Sequence, residues 1–226
     1  MVEPKNLNSV ISLPGYQEPF RQDRITSRGG GVAVYVRDGL AASVINCVTS
    51  PLFQCLVLSI VLSQRKRLTM IICYRPPGNK VHEFIEFLDQ VLTDLPANAS
   101  HNLGLAGDFN SKHSSWLPSQ DTTFAGTELF NLTASFGLTQ VVSDPTFTTN
   151  SGKDVLLDLI FVNDPTVLRN VLPFLRSPTI ALLFLLSASL MLRQLQLRAM
   201  LISCGTTTVL TMKAYAESSH DWIGIC

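Results

Sequence analysis

Leu103-Gly104-Leu105-Ala106-Gly107-Asp108-Phe109-Asn110 is the stretch on which the reading of this chain turns. A short apolar strand runs to its end and delivers an aspartate and an asparagine there. Standing two residues apart in an extended chain, both side chains are expected to point to the same side. Such a pair suits phosphodiester hydrolysis. The carboxylate can take a proton from an attacking water or help hold a metal, and the amide can orient a phosphate oxygen. The same four letters, Gly107 to Asn110, also describe an ordinary Asx turn, and alone they do not separate the two.

The flanking text alternates between strand-like and helix-like segments. Gly29-Gly30-Gly31 opens the β-branched run Val32 to Val36. Phe53 to Leu62 is a second apolar run and Leu68 to Tyr74 a third, stopped by Pro76-Pro77-Gly78. The polar break between these two is short, which predicts an antiparallel hairpin. Phe84, Phe87, Leu88, Val91, Leu92 and Leu95 recur at steps of three and four, the spacing of a helix with one buried face, entered near Asn79 and ended by Pro96. A second helix carries Leu129, Leu132 and Phe136, with Thr127 as its expected cap and Gly137 as its stop. Val155 to Val162 is a last apolar run, broken only by Asp158. Strands interleaved with helices, with at least one hairpin, predict a mixed-sheet α/β (α+β) sandwich.

Composition bounds the function more loosely. At 226 residues, 46% hydrophobic and 15% charged, the chain reads as one globular domain. Seventeen basic residues balance 17 acidic ones, so net charge gives no support to a nucleic-acid partner, although a local basic cleft can hide in a neutral total. The five cysteines are odd in number and widely spaced, with no CxxC pair, which favours a reduced, intracellular compartment. Asn98 and Asn131 open sequons, but no apolar leader precedes them, so secretion is not expected.

Four motifs in order resemble those of the endonuclease/exonuclease/phosphatase (DNase I-like) domain of LINE-type non-LTR retrotransposons. They are Arg28 to Val36, Ile72-Cys73-Tyr74-Arg75-Pro76-Pro77-Gly78, the Gly107 to Asn110 signature, and Leu156-Leu157-Asp158-Leu159-Ile160-Phe161-Val162-Asn163. The resemblance spans roughly Gly15 to Asn163 and implies a four-layer α/β/β/α sandwich, partial here, lacking its first strands and its last. It also implies a role for each matching residue. Asp108 activates or positions the attacking water, and Asn110 holds the scissile phosphate. Tyr74 touches the phosphate or the leaving group, with Arg75 nearby as a phosphate contact. Asp158 acts from behind by orienting a catalytic histidine. The bland readings stand beside these: Tyr74 as a strand-end aromatic, Arg75 as an exposed charge. Asp158, inside an apolar run, is the least comfortable as a purely structural residue, because a buried carboxylate needs a partner. His113 and Trp116 read as loop packing. The implied cofactor is Mg²⁺ or Mn²⁺, its ligands unknown with Asp108 as a candidate, and the implied partner of an active chain is DNA in the nucleus.

Two parts of the family's site are not matched. Pro14 to Arg24 resembles the segment just after the family's metal-binding glutamate, so the chain is expected to start beyond that residue, and neither Glu3 nor Glu18 ends an apolar strand. The family's closing Ser-Asp-His is also missing after Asp158. Read in a shifted frame, however, the codons of Ser177-Pro178-Thr179-Ile180-Ala181-Leu182 can spell Ser-Asp-His-Cys-Thr. A frameshift between about Leu172 and Ser177 accounts for this. It divides the chain into a partial domain, 1–171, and an aberrant tail, 172–226. The apolar run Ile180 to Leu192 in that tail is shorter than the roughly 20 residues a bilayer core needs, so a membrane partner is not expected. The leading expectation is an impaired remnant of a metal-dependent DNA endonuclease. Its rivals are an active phosphodiesterase or phosphatase of the same fold, and a non-catalytic binding or membrane-associated product.

Overall fold

The computed structural model of the chain describes residues 15–23, 31–36, 38–63 and 66–165, and the backbone of 196–204 and 207–215. The apolar runs become strands as their patterns predict. β1 (Phe20–Asp23) pairs antiparallel with β2 (Gly31–Val36). β3 (Ala42–Thr49), β4 (Gln54–Ser63) and β5 (Lys66–Tyr74) form an antiparallel meander, which includes the expected β4–β5 hairpin. The helix α1 (Val81–Thr93) then crosses to β6 (Leu103–Asp108), which lies parallel to β5. After α2 (Phe124–Ser135) come the two-residue strands β7 (Thr139–Gln140), β8 (Phe147–Thr148) and β9 (Asp154–Val155), and then β10 (Asp158–Val162), antiparallel to β6. The backbone of β11 (Gln196–Cys204) and β12 (Thr207–Tyr215) makes a hairpin, and β12 pairs with β2.

Two main sheets result, ordered β1-β2-β12-β11 and β3-β4-β5-β6-β10-β7. Their layering follows from the registers. Leu56, Ile72, Ala106 and Ile160 stand on one face of the larger sheet, and β2 packs on β4 and β5 there. The opposite face carries Phe109 and Phe161, which meet Phe84 of α1 and Trp116 of the loop before α2 edge-on. The described residues therefore stack as helices, sheet, sheet. Gln22 of β1 ties the two sheets together: its amide donates to the Val48 carbonyl at 2.7 Å and accepts from the Cys55 N–H at 2.9 Å.

Two local expectations are corrected. The cap of α2 is Thr123, whose hydroxyl accepts from the Gly126 N–H; Thr127 lies inside the first turn and its hydroxyl donates back to the Thr123 carbonyl. Only Thr123 has the extended backbone that lets a cap side chain reach forward. The last apolar run is not one strand, because β9 ends at Val155 and β10 begins at Asp158. The run Ile180 to Leu192, and the expected break between Leu172 and Ser177, lie outside the described residues. Among the described residues, no helix is long and apolar enough to cross a membrane.

Candidate active site

Strand register brings the predicted residues together. Tyr74 closes β5 opposite Asp108, which closes β6, and Asp108 lies opposite Asp158, which opens β10. Directly opposed residues share a face of the sheet, so three separate segments of sequence meet in one row at one end of the larger sheet. All three side chains are buried. The Phe109 N–H donates to the Leu157 carbonyl at 3.1 Å and the Asn163 N–H to the Leu103 carbonyl at 3.1 Å. That alternation makes Asp108 and Asp158 a non-hydrogen-bonded pair, the closer kind, with Cα atoms about 4.5 Å apart.

Asn110 reaches the row by another route than strand alternation. β6 ends at Asp108, and Asn110 has φ +46°, in the left-handed region. The expectation that Asp108 and Asn110 share a side because they are two residues apart therefore lapses, since that reasoning holds only in extended chain. Instead the Asn110 N–H donates to Asp108 Oδ1 at 2.9 Å, and its Nδ2 donates to the Arg75 carbonyl at 2.8 Å. The signature is thus an Asx turn in its backbone that also sets Asn110 beside the end of β5.

Arg75 is buried, at 4% exposure, so its reading as an exposed charge is overturned. Its guanidinium donates to four main-chain carbonyls: Nε to Phe109 and Nη2 to Asn110, both at 2.6 Å, and Nη1 to Pro76 and Gly78 at 3.4 and 3.3 Å. Burial lowers its pKa, and the negative charge of Asp108 opposes that shift.

Sequence reading missed two further residues. Thr146 accepts with its hydroxyl from both the Leu157 and Asp158 N–H groups, at 3.2 and 3.1 Å, and so fixes where β10 starts. Gln54, opposite Tyr74 on β4, extends the row by one strand; it is 1% exposed, and neither amide atom has a hydrogen-bond partner among the described residues. Nothing in its local text marks it, because a glutamine opening an apolar run reads as a strand boundary.

The histidines lie elsewhere. His113 stacks on Phe130 at 4.5 Å and accepts from the Ser115 N–H, while its neighbour Trp116 is buried against Phe161, so both pack the loop. His82 meets Phe124 on the helical face, and His101 is exposed before the other end of β6. The fourth, His220, lies outside the described residues. No group of three or more His, Cys, Asp or Glu among the described residues could hold a metal ion. The paired carboxylates of Asp108 and Asp158 alone do not make a protein-built metal site.

This arrangement of two facing sheets, with carboxylates gathered where the central strands end, is a DNase I-like α+β fold. Residues 68–177 match the family described as endonuclease-reverse transcriptase. The endonuclease domain of TRAS1, a telomere-specific non-LTR retrotransposon, shares the fold with a TM-score of 0.57. That likeness covers 89% of this chain and 80% of that one at 16% identity. TDP2 of D. rerio, solved with a single-stranded DNA product, matches with a TM-score of 0.45, over 89% of this chain and 78% of that one at 11% identity. No curated protein matches the chain. The family match over 68–177 and the DNase I-like fold agree with the resemblance carried by the four motifs.

Proposed function

We propose that the chain is a remnant of a divalent-metal-dependent DNA endonuclease, built to nick a target site and impaired in doing so. The observation that carries this reading is the row of Tyr74, Asp108 and Asp158 on three adjacent strands, with Asn110 turned in beside it. Asp108 positions and deprotonates the attacking water, and Asn110 and Tyr74 address the phosphate. Asp158 orients a histidine that the described residues do not supply. Mg²⁺ at phosphate sites is commonly held by one or two carboxylates together with the phosphate itself. Asp108 is the candidate carboxylate here, and the described residues gather no larger ligand cluster around it. His82, His101 and His113 all stand away from Asp158, and the lack of one catalytic group there is expected to lower the rate by about a hundred- to ten-thousand-fold, which is the source of the impairment. The substrate is DNA, and the site of action is the nucleus.

Incubation of the purified chain with supercoiled plasmid tests this. Slow conversion to open circles in Mg²⁺ or Mn²⁺, abolished by EDTA and by Asp108→Ala, is the expected result. Nicking that persists in EDTA, or that Asp108→Ala leaves intact, contradicts it.

A further inference from the structure

We propose that Arg75 is a positioning residue that clamps the turn carrying Asp108 and Asn110, and that it does not contact phosphate. This rests on the reading that Asp108 and Asn110 form the site. The residue engages three consecutive positions of the turn. Its N–H donates to the Asp108 carbonyl at 3.0 Å, and its Nε and Nη2 donate to the carbonyls of Phe109 and Asn110 at 2.6 Å each. Its own carbonyl in turn receives the Asn110 side-chain amide at 2.8 Å. Where β6 leaves the sheet its carbonyls lose their ladder partners, and buried carbonyls require others. A planar guanidinium supplies two parallel donors at once, and its charge strengthens each bond.

The clamp also accounts for the backbone of Asn110. A non-glycine residue at positive φ is uncommon, and even asparagine, which tolerates it best, holds it where local hydrogen bonds fix it. Asn110 is held on its N–H by Asp108 Oδ1, on its carbonyl by Nη2 and on its side chain by the Arg75 carbonyl. Lysine cannot reproduce this, because a single ammonium does not span the two carbonyls in a fork. The second Nη of Arg75 is directed at Pro76 and Gly78, so the turn after β5 is drawn into the same cluster. A side chain that is 4% exposed and holds four carbonyls would have to break that cluster to reach a phosphate.

Hydrogen exchange on the full chain, followed by NMR, decides the question. The Nε–H of Arg75 is expected to exchange at least about tenfold more slowly than a free guanidinium, the equivalent of one charge-assisted hydrogen bond. Exchange at the free rate overturns the clamp. In Arg75→Lys, the Asn110 N–H is expected to lose protection while Leu105 and Ala106 in β6 keep theirs; an unchanged Asn110 overturns it. If Arg75→Lys fails to fold, the wild-type Nε–H still decides between the two outcomes. Plasmid nicking that ignores Asp108→Ala would defeat the proposed activity and leave the clamp standing, whereas a freely exchanging Nε–H would defeat the clamp alone.

Discussion

Thr146 shows how a single hydroxyl sets the site. By accepting from the N–H groups of Leu157 and Asp158 it satisfies two donors that precede the β10 ladder, and so fixes the point at which Asp158 enters opposite Asp108. Thr146→Val is expected to cost about 1 kcal/mol, the lower end of the penalty for stranding donors, because both bonds are only part-buried, whereas Thr146→Ser retains most of the stability; urea unfolding of both variants checks this. Gln54 makes the converse case. Its amide is buried without partners, so the similarly shaped Gln54→Met is expected to be neutral or to stabilise by about 1 kcal/mol, and a marked fall in Tm would contradict that. Tyr74, Asp108 and Asp158 stand out in the sequence because the first two close apolar runs and the third interrupts one, and strand register brings them into one row. The sequence carried Thr146 and Gln54 poorly. One lies in a loop and the other looks like a boundary, and only the assembled sheet gives either its neighbours.

At the scale of elements, the parallel contact of β5 with β6 is the joint on which the row depends. A Cβ on Gly107 would lie 1.8 Å from the Cys73 carbonyl oxygen, a backbone atom with nowhere to move. Gly107→Ala is therefore expected to force the two strands apart and to unfold the chain or shift the Tyr74–Asp108 register, which loss of amide protection along both strands would reveal. An unperturbed exchange pattern would contradict it. Periodicity exposes α1 because Val81, Phe84, Leu88, Val91 and Leu92 line one buried face. β3 escaped notice for a physical reason. It is an edge strand with a bulge between Val44 and Asn46, and Val44 is 45% exposed, so its pattern is diluted. The cap of α2 was misplaced because two threonines lie four residues apart, and only the backbone angle at Thr123 distinguishes them.

On the scale of the whole molecule, strand and helix patterns predict a mixed α+β architecture, but the facing of two sheets came from the family resemblance. Periodicity cannot say which strands share a sheet; the Gln22 bridge and the packing of β2 on β4 and β5 exist only in three dimensions. The same core makes stability depend on pH. Burial, and then the neighbouring Cys55 thiol, push the Cys73 thiol well above the usual thiol range. A group that binds its proton more tightly in the folded state contributes stability in full below its unfolded pKa and loses it as pH rises beyond. Unfolding midpoints should accordingly fall as pH climbs above about 8.5, by up to about 1.4 kcal/mol per pH unit for this group, and less steeply in Cys73→Ala. An equal slope in the variant would assign the effect elsewhere.

The most direct measurement is the ratio of plasmid-nicking rates of the wild-type chain and Asp108→Ala in Mg²⁺. Asp108 stands at the centre of the row, between Tyr74 and Asp158. A slow wild-type rate and a ratio of about one hundred or more are expected, the contribution of a single catalytic acid–base group. A ratio near one would mean that the row does no chemistry, and the reading of this chain as an impaired endonuclease would fail.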